Sequence, residues 1–397
     1  MKIGILGNMA NNGYNNAKAL RQAGVEADLI IPSSTMELYS SVEWEEGIFG
    51  PEIDATKFNF KMAVDAGKLW ERPGWVKYYD NNDWRRRDVR TLTRFFRTLE
   101  FYEFVRQYDI LELHVPFAYT APYLNTPNMI YDAGWGRYFP RGKKIVDNLT
   151  AKGYAKSDHI FVTNIDMWRI FDSLDYIDKN KVSYMPFSVD CEKYQPMDTT
   201  EIRQNFADEN TLLLLQPSRQ HWEEKGNDKV FKALKKITKS HDKVTLLAAE
   251  WGKDIEKSKK MINDLGIQKN IIWFKPVSKS RLIQLFNCAD VILDQFPEPS
   301  DANQIWGPWG TAALEAMSCG KPLLLYYDQD GIDRFVKEGP PALRSLSVEQ
   351  IFENLKLLLE STALRQEIGS KSREWIIKMH SPKVVAEKHM QVIKKLI

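Results

Sequence analysis

The chain has 397 residues, 43% hydrophobic and 27% charged, which is enough apolar sequence for two globular domains of ordinary size. A net charge of +2 argues against a dedicated nucleic-acid binder, and no apolar run approaches the ~20 residues of a membrane span. Cys191, Cys288 and Cys319 lie far apart and match no metal-ligand spacing. They read as small buried hydrophobes in a reducing, cytoplasmic compartment.

The opening MKIGILGN reads as a core strand, Lys2–Leu6, because a turn cuts off its apolar run too early for a signal peptide. A loop from Gly7 to Gly13, a helix from Asn15 to Ala23 capped by Gly24, and a strand at 27–31 complete a βαβ unit. The loop lacks the GxGxxG spacing of a dinucleotide site; Gly13 either serves the turn or admits a ligand's phosphate or sugar close to the backbone. Residues 33–83 show no clear periodicity and carry many aromatics and acids, the pattern of an insertion or lid. From Trp84 to Val105 the spacing predicts an amphipathic helix with Arg86, Arg90, Arg94 and Arg97 opposite its apolar side. That face is either solvated or turned toward an anionic membrane or acidic acceptor.

DILELH (109–114) predicts a strand ending in His114, at the sheet edge where parallel sheets bind ligands. Further strands are expected at 128–131, 159–163 and 182–186, and a domain boundary follows near Pro196. A second alternation of strands and helices then begins with Leu212–Leu215, followed by Gln216-Pro-Ser-Arg219 and Lys225-Gly226. Arg219 and Lys225 on one strand-to-helix loop can together hold two phosphates, Arg by its fork and Lys as a point charge. The most informative stretch is WGPWGTAALEAMSCGKPLLLYY (306–327). Its glycine loop runs into a helix, Thr311 to Ser318, closed by Gly320 and followed by a buried strand. Unpaired amides near Gly310 and Thr311 and the positive end of the helix dipole suit a phosphate or diphosphate. Glu315, one turn in, can accept paired hydrogen bonds from vicinal hydroxyls such as those of a ribose. The last helix, about 383–395, could pack on either domain.

In this order and spacing these pieces resemble the retaining nucleotide-sugar transferases of glycosyltransferase family four, which have the GT-B fold. Gly13 ends the glycine loop, and DILELH stands against the family's D-x-x-H-x-H. VSYMPFSVDCEKYQP stands for the interdomain linker, and GPWGTAALEAMSCGKPLL for the E-G-F-G-x-x-x-x-E-A-M stretch. The resemblance implies an α/β architecture of two Rossmann-like domains whose parallel sheets face each other across a cleft. The domains would be an acceptor domain at 1–195, a nucleotide-sugar domain at 196–380, and a terminal helix at 381–397 that packs back on the first. It implies that Arg219 and Lys225 bind the donor diphosphate, Glu315 the ribose and Val277 the base. Gly310 and Thr311 would complete the phosphate cradle, Gly13 would sit against the diphosphate, and His114 would contact the transferred sugar.

The sequence departs from the family where its first glutamate, eight residues before Glu315, is Gly307. Main-chain amides there, or Asp294, Glu298 or Asp301, would have to meet the sugar hydroxyls instead. The turn at 249–252 reads Ala249-Glu250-Trp251-Gly252, and Ser188 replaces the linker glycine. No carboxylate or histidine cluster has ligand spacing, so a metal-independent, cofactor-free transfer is expected. The donor would be a UDP-sugar, with GDP-mannose next, and the acceptor a glycan, a lipid-linked sugar or a small molecule. The site of action would be cytoplasmic, including the inner face of the membrane. Two other readings stay open: a nucleotide-sugar epimerase of the same fold, and a non-catalytic nucleotide-sugar-binding partner subunit.

Overall fold

Short runs of Leu, Ile and Val bounded by Gly, Asn, Asp or Pro are too brief for helices, and they become strands buried on both faces of parallel sheets. The computed structural model describes residues 1–32, 38–49, 53, 58–79, 104–115, 117–138, 145–298 and 309–397. The chain divides into two units. The first comprises Met1–Ile48, Thr56–Ser188 and His380–Ile397, and the second Phe49–Ala55 and Val189–Met379.

The first unit is built on β1 (Lys2–Leu6), β2 (Glu26–Pro32), β3 (Val76–Tyr79), β4 (Ile110–His114), β5 (Asn128–Asp132), β6 (His159–Val162) and β7 (Val182–Tyr184). They lie in the order β3-β2-β1-β4-β5-β6-β7, and every neighbouring pair is parallel. The chain winds outward in both directions from the β1/β4 pair. The loops after these two strands therefore diverge and leave a crevice at their carboxyl ends. The terminal helix Pro382–Leu396 belongs to this unit. Its Val385, Ala386 and Ile393 share a core with Ile3, Ile5, Ala17, Leu20 and Met185.

The second unit carries β8 (Leu212–Gln216), β9 (Val244–Ala249), β10 (Ile271–Phe274), β11 (Val291–Leu293), β12 (Leu323–Leu325) and β13 (Leu343–Arg344) in the order β10-β9-β8-β11-β12-β13, again parallel throughout. Here the winding reverses between β8 and β11. Helix Asn227–Ile237 lays Val230, Phe231, Leu234 and Ile237 onto the sheet, where they meet Leu214, Leu246 and Val291. That spacing is the one expected of a single buried helical stripe. The expected α/β class with two parallel-sheet, Rossmann-like halves is what the chain forms.

Several local expectations change. The first helix spans Asn12–Gln22, so Gly13 lies inside its first turn and not in the preceding loop. The cause is Asn8, whose Oδ1 accepts from the Tyr14 amide at 2.8 Å and ties down the helix start. The 33–83 stretch, read as irregular, contains helix Phe60–Leu69, N-capped by Asn59, and strand β3. Gly67 disguised that helix, because glycine inside a helix counts against one. It is there because the Arg72 side chain occupies the place of its missing Cβ on the way to the Glu43 carboxylate and the Ala63 carbonyl. The predicted arginine helix, with Arg86, Arg90, Arg94 and Arg97, lies outside the described residues. No helix among the described residues is long and apolar enough to cross a membrane.

Candidate functional site

In the second unit the loop after β8 and the segment after β11 are stitched together at the point where the winding reverses. The short helix Trp222–Lys225 starts at His221, whose Nδ1 accepts from the Glu224 amide, and ends at Gly226 with φ +61°. The Phe296 amide donates to the Lys225 carbonyl at 3.0 Å and the Glu298 amide to the Glu223 carbonyl at 2.9 Å. Gly226 presses so close to the Phe296 carbonyl that a Cβ would lie 2.0 Å from its oxygen. Glycine is required there twice, by the left-handed backbone and by the approach. This pairing fixes where Lys225 leaves the chain.

Asp294, just past β11, is buried beside it. Its carboxylate accepts from Gln295 Nε2 at 3.3 Å. Burial raises its pKa, while the charge of Lys225, the Gln295 hydrogen bond and Arg219 pull it back; the balance leaves it above the usual carboxylate range. Gly310, the N-cap of helix Thr311–Ser318, abuts the same pair, for a Cβ there would sit 2.7 Å from Gln295 Nε2 and 3.4 Å from Asp294 Oδ2. Among the described residues, no side chain caps this helix start. Lys225, Arg219, Asp294 and the positive end of a helix therefore meet at one place. Arg219 is partly exposed and holds Glu224 at 2.5 Å. An exposed pair of this kind is weak in water, so exchanging Glu224 for a diphosphate costs little.

Glu315 is buried, and its carboxylate is ion-paired with Lys279, which directly follows Val277 and the N-cap Ser278. Lys279 also lies 5.6 Å from the centre of the Tyr194 ring. Glu298 stands apart from Asp294, paired with Lys229 at 3.1 Å. Asp301 and Gly307 lie outside the described residues. Among the described residues, no group of three or more His, Cys, Asp or Glu is arranged to hold a metal ion.

In the first unit His114 closes β4, next to the loop after β1. Its Nε2 lies 2.7 Å from Glu112 Oε1, and its ring stacks on Tyr131 with centroids 4.4 Å apart. Glu112 is itself fully buried, accepts from Asn16 Nδ2 at 2.9 Å and lies 2.6 Å from His389 Nε2. Burial alone would raise its pKa. The charge of His389 and the imidazole hydrogen bonds outweigh that and hold it well below the usual carboxylate range. Gly13 owes its identity to packing, since a Cβ there would lie 2.2 Å from the Gly7 carbonyl oxygen.

The structure brings together Arg219, Lys225, Asp294 and Gly310 from three stretches that sequence analysis had singled out. Lys279, Gln295, Glu112 and His389 were missed. Only Glu112 carried a usable signal, a carboxylate in an otherwise apolar buried strand, which demands a partner.

Residues 197–375 match the family described as glycosyl transferases group 1. No curated protein sequence matches the chain. Among solved structures it is similar to HepE from Anabaena in complex with UDP and glucose (TM-score 0.70, 14% identity, 100% of each chain). It is also similar to sucrose-phosphate synthase from Thermosynechococcus elongatus (TM-score 0.70, 12% identity, 100% of this chain and 99% of that one). A mutant of TarM from S. aureus in complex with fondaparinux, alpha-GlcNAc-glycerol and UDP is a third (TM-score 0.65, 11% identity, 99% of each chain). At these identities the likeness is one of fold, and the fold is that of GT-B enzymes. With the matched domain, it makes the chain a glycosyltransferase.

Proposed function

We propose that the chain is a retaining, metal-independent transferase of family four that moves a sugar from a nucleotide-diphosphate sugar, UDP-linked before GDP-mannose, to a glycan, lipid-linked or small-molecule acceptor. The observation that carries this reading is the convergence of Lys225, Arg219 and the uncapped helix at Gly310 and Thr311 on the β8/β11 reversal of the matched domain. Two cations and a helix N-terminus are preorganised for the charge that develops on a departing diphosphate, which is the work a metal would otherwise do. Asp294, whose pKa is raised by burial, stands beside these cations, where its carboxyl can hydrogen-bond a hydroxyl of the sugar. The UDP complexes of HepE and TarM favour a uridine donor here.

The remaining roles follow the same reading. Glu315, steadied by Lys279, takes the ribose hydroxyls, and Val277 flanks the base. His114 contacts the transferred sugar, and Gly13 lends its backbone to the diphosphate. Retention would proceed by front-face attack, with the departing phosphate accepting the acceptor's proton. The acceptor would be met by the first unit, in the cytoplasm or at the inner membrane face, and contact with anionic lipid falls to the arginines at 86–97.

A thermal-shift series against UDP, GDP, dTDP, ADP and their common sugars tests the donor, because a ligand specific to the folded state raises the melting temperature with its occupancy. One nucleotide should stabilise the protein, and Glu315→Ala should lose that shift. Lys225→Ala should keep most of the nucleotide binding and lose about 100-fold or more in transfer rate. No stabilisation by any nucleotide, together with no turnover of any donor, would remove the reading.

A further inference from the structure

Glu112 and His114 are two residues apart on β4 and so point to the same face of the sheet. Two helices from opposite ends of the chain cover that face. Asn16 comes from the first and His389 from the last. Asn16, Glu112, His114 and His389 are each at most 1% exposed. The donors and acceptors among them can be assigned one by one. His389 Nδ1 lies 2.8 Å from the Val385 carbonyl, which only accepts, so Nδ1 bears a proton. His389 Nε2 lies 2.6 Å from Glu112 Oε2, and an ionised carboxylate also only accepts, so Nε2 bears one too. His389 is thus an imidazolium balancing one carboxylate. Glu112 Oε1 takes the Asn16 amide at 2.9 Å and His114 Nε2 at 2.7 Å.

With the buried charge already balanced, His114 is neutral, protonated on Nε2, and bare on Nδ1. Among the described residues, that buried Nδ1 has no hydrogen-bond partner. A buried acceptor left empty is costly, so its presence points to a ligand that fills it. The second histidine of this cluster is supplied from the terminal helix.

We infer that Glu112, backed by His389, is a positioning residue that locks His114 in the Nε2–H tautomer and presents Nδ1 as the acceptor for a hydroxyl of the transferred sugar. This rests on the proposed contact between His114 and that sugar. Its consequence is that the terminal helix takes part in function through a residue 277 positions from the strand it serves.

Imidazole nitrogen NMR on the full-length chain, with the signals assigned through His114→Gln and His389→Gln, reads the tautomers directly. In the unliganded protein His114 should show a protonated Nε2 and a bare Nδ1, and His389 should show two protonated nitrogens. A protonated Nδ1 on His114 overturns the inference and needs no variant to fold. Glu112→Gln should turn His114 into a mixture of tautomers and lower kcat roughly 10-fold or more, while the Kd for free nucleotide holds. A changed tautomer with an unchanged kcat overturns the role in transfer. If the wild-type chain transfers no sugar from any donor while His114 keeps the Nε2–H form, the transferase reading fails and the tautomer assignment stands.

Discussion

Replacing Gly226 by alanine tests whether backbone pairing sets the position of Lys225. The new methyl would begin 2.0 Å from the Phe296 carbonyl oxygen and 2.7 Å from its carbon, so the two segments have to part by roughly 1 Å before contact becomes ordinary. The left-handed φ of +61° adds roughly 1 kcal/mol for any residue with a Cβ. Forced separation of packed backbone adds about 1–3 kcal/mol. The expected loss of about 2–4 kcal/mol lowers the melting temperature by roughly 5–15 °C for a unit of this size. Function should suffer more than stability. The hydrogen bonds from Phe296 and Glu298 to the 223–225 carbonyls would open, and Lys225 would move relative to Asp294. A misplacement of about 1 Å at such a group costs on the order of 100-fold in rate. Urea denaturation gives the first quantity, and transfer assays well below the melting temperature give the second. If Gly226→Ala lost less than about 1 kcal/mol and kept its turnover, the stitched geometry would not be what places Lys225.

Lys279→Met leaves the Glu315 carboxylate buried without the Lys279 ammonium, which should cost roughly 3–5 kcal/mol, whereas the double variant Lys279→Met/Glu315→Leu should recover most of that loss. A double-mutant cycle in urea with no coupling between the two sites would show that the pair is not a unit. The pH dependence follows from His380. Burial, opposed by its hydrogen bond with the Phe187 carbonyl, pushes its imidazole from an ordinary 6.5 down to about 4. Between those values the unfolded chain takes up the proton first, so folding stability should be complete above about pH 6.5 and fall as pH drops toward 4, by roughly 3 kcal/mol from this residue. His159, also lowered to about 4 by burial and Lys395, acts in the same direction. His380→Asn should flatten the slope over that window, and an unchanged slope in denaturant titrations from pH 7 to 4.5 would exclude His380 as its source.

The features legible in the sequence are those whose cause is local. Lys2–Leu6 and Leu212–Gln216 are strands because buried Leu and Ile runs end at Gly or Pro, and this information is complete within ten residues. Helix Thr311–Ser318 was foreseen residue for residue because Gly310 precedes it and Gly320, at φ +72°, ends it. Where a neighbour distant in sequence intervenes, the reading slips. Gly67 counts against a helix until Arg72 fills its place, and Gly13, read as the end of a loop, lies inside a first helical turn that Asn8 ties down.

From the sequence alone came the α/β class, the alternation of strands and helices in both halves, and the stretches that carry Arg219, Lys225, Gly310 and Glu315. Periodicity and turn chemistry act between neighbours in the chain, and they suffice for that. Only the tertiary structure decided that β8 pairs with β11, and so brings Lys225 against Asp294. It alone paired Glu315 with Lys279, and Glu112 with a histidine from the last helix. The physical reason is that a buried charge requires a partner without specifying which one. The choice falls to whichever side chain the packing of sheet and helices brings within hydrogen-bond reach.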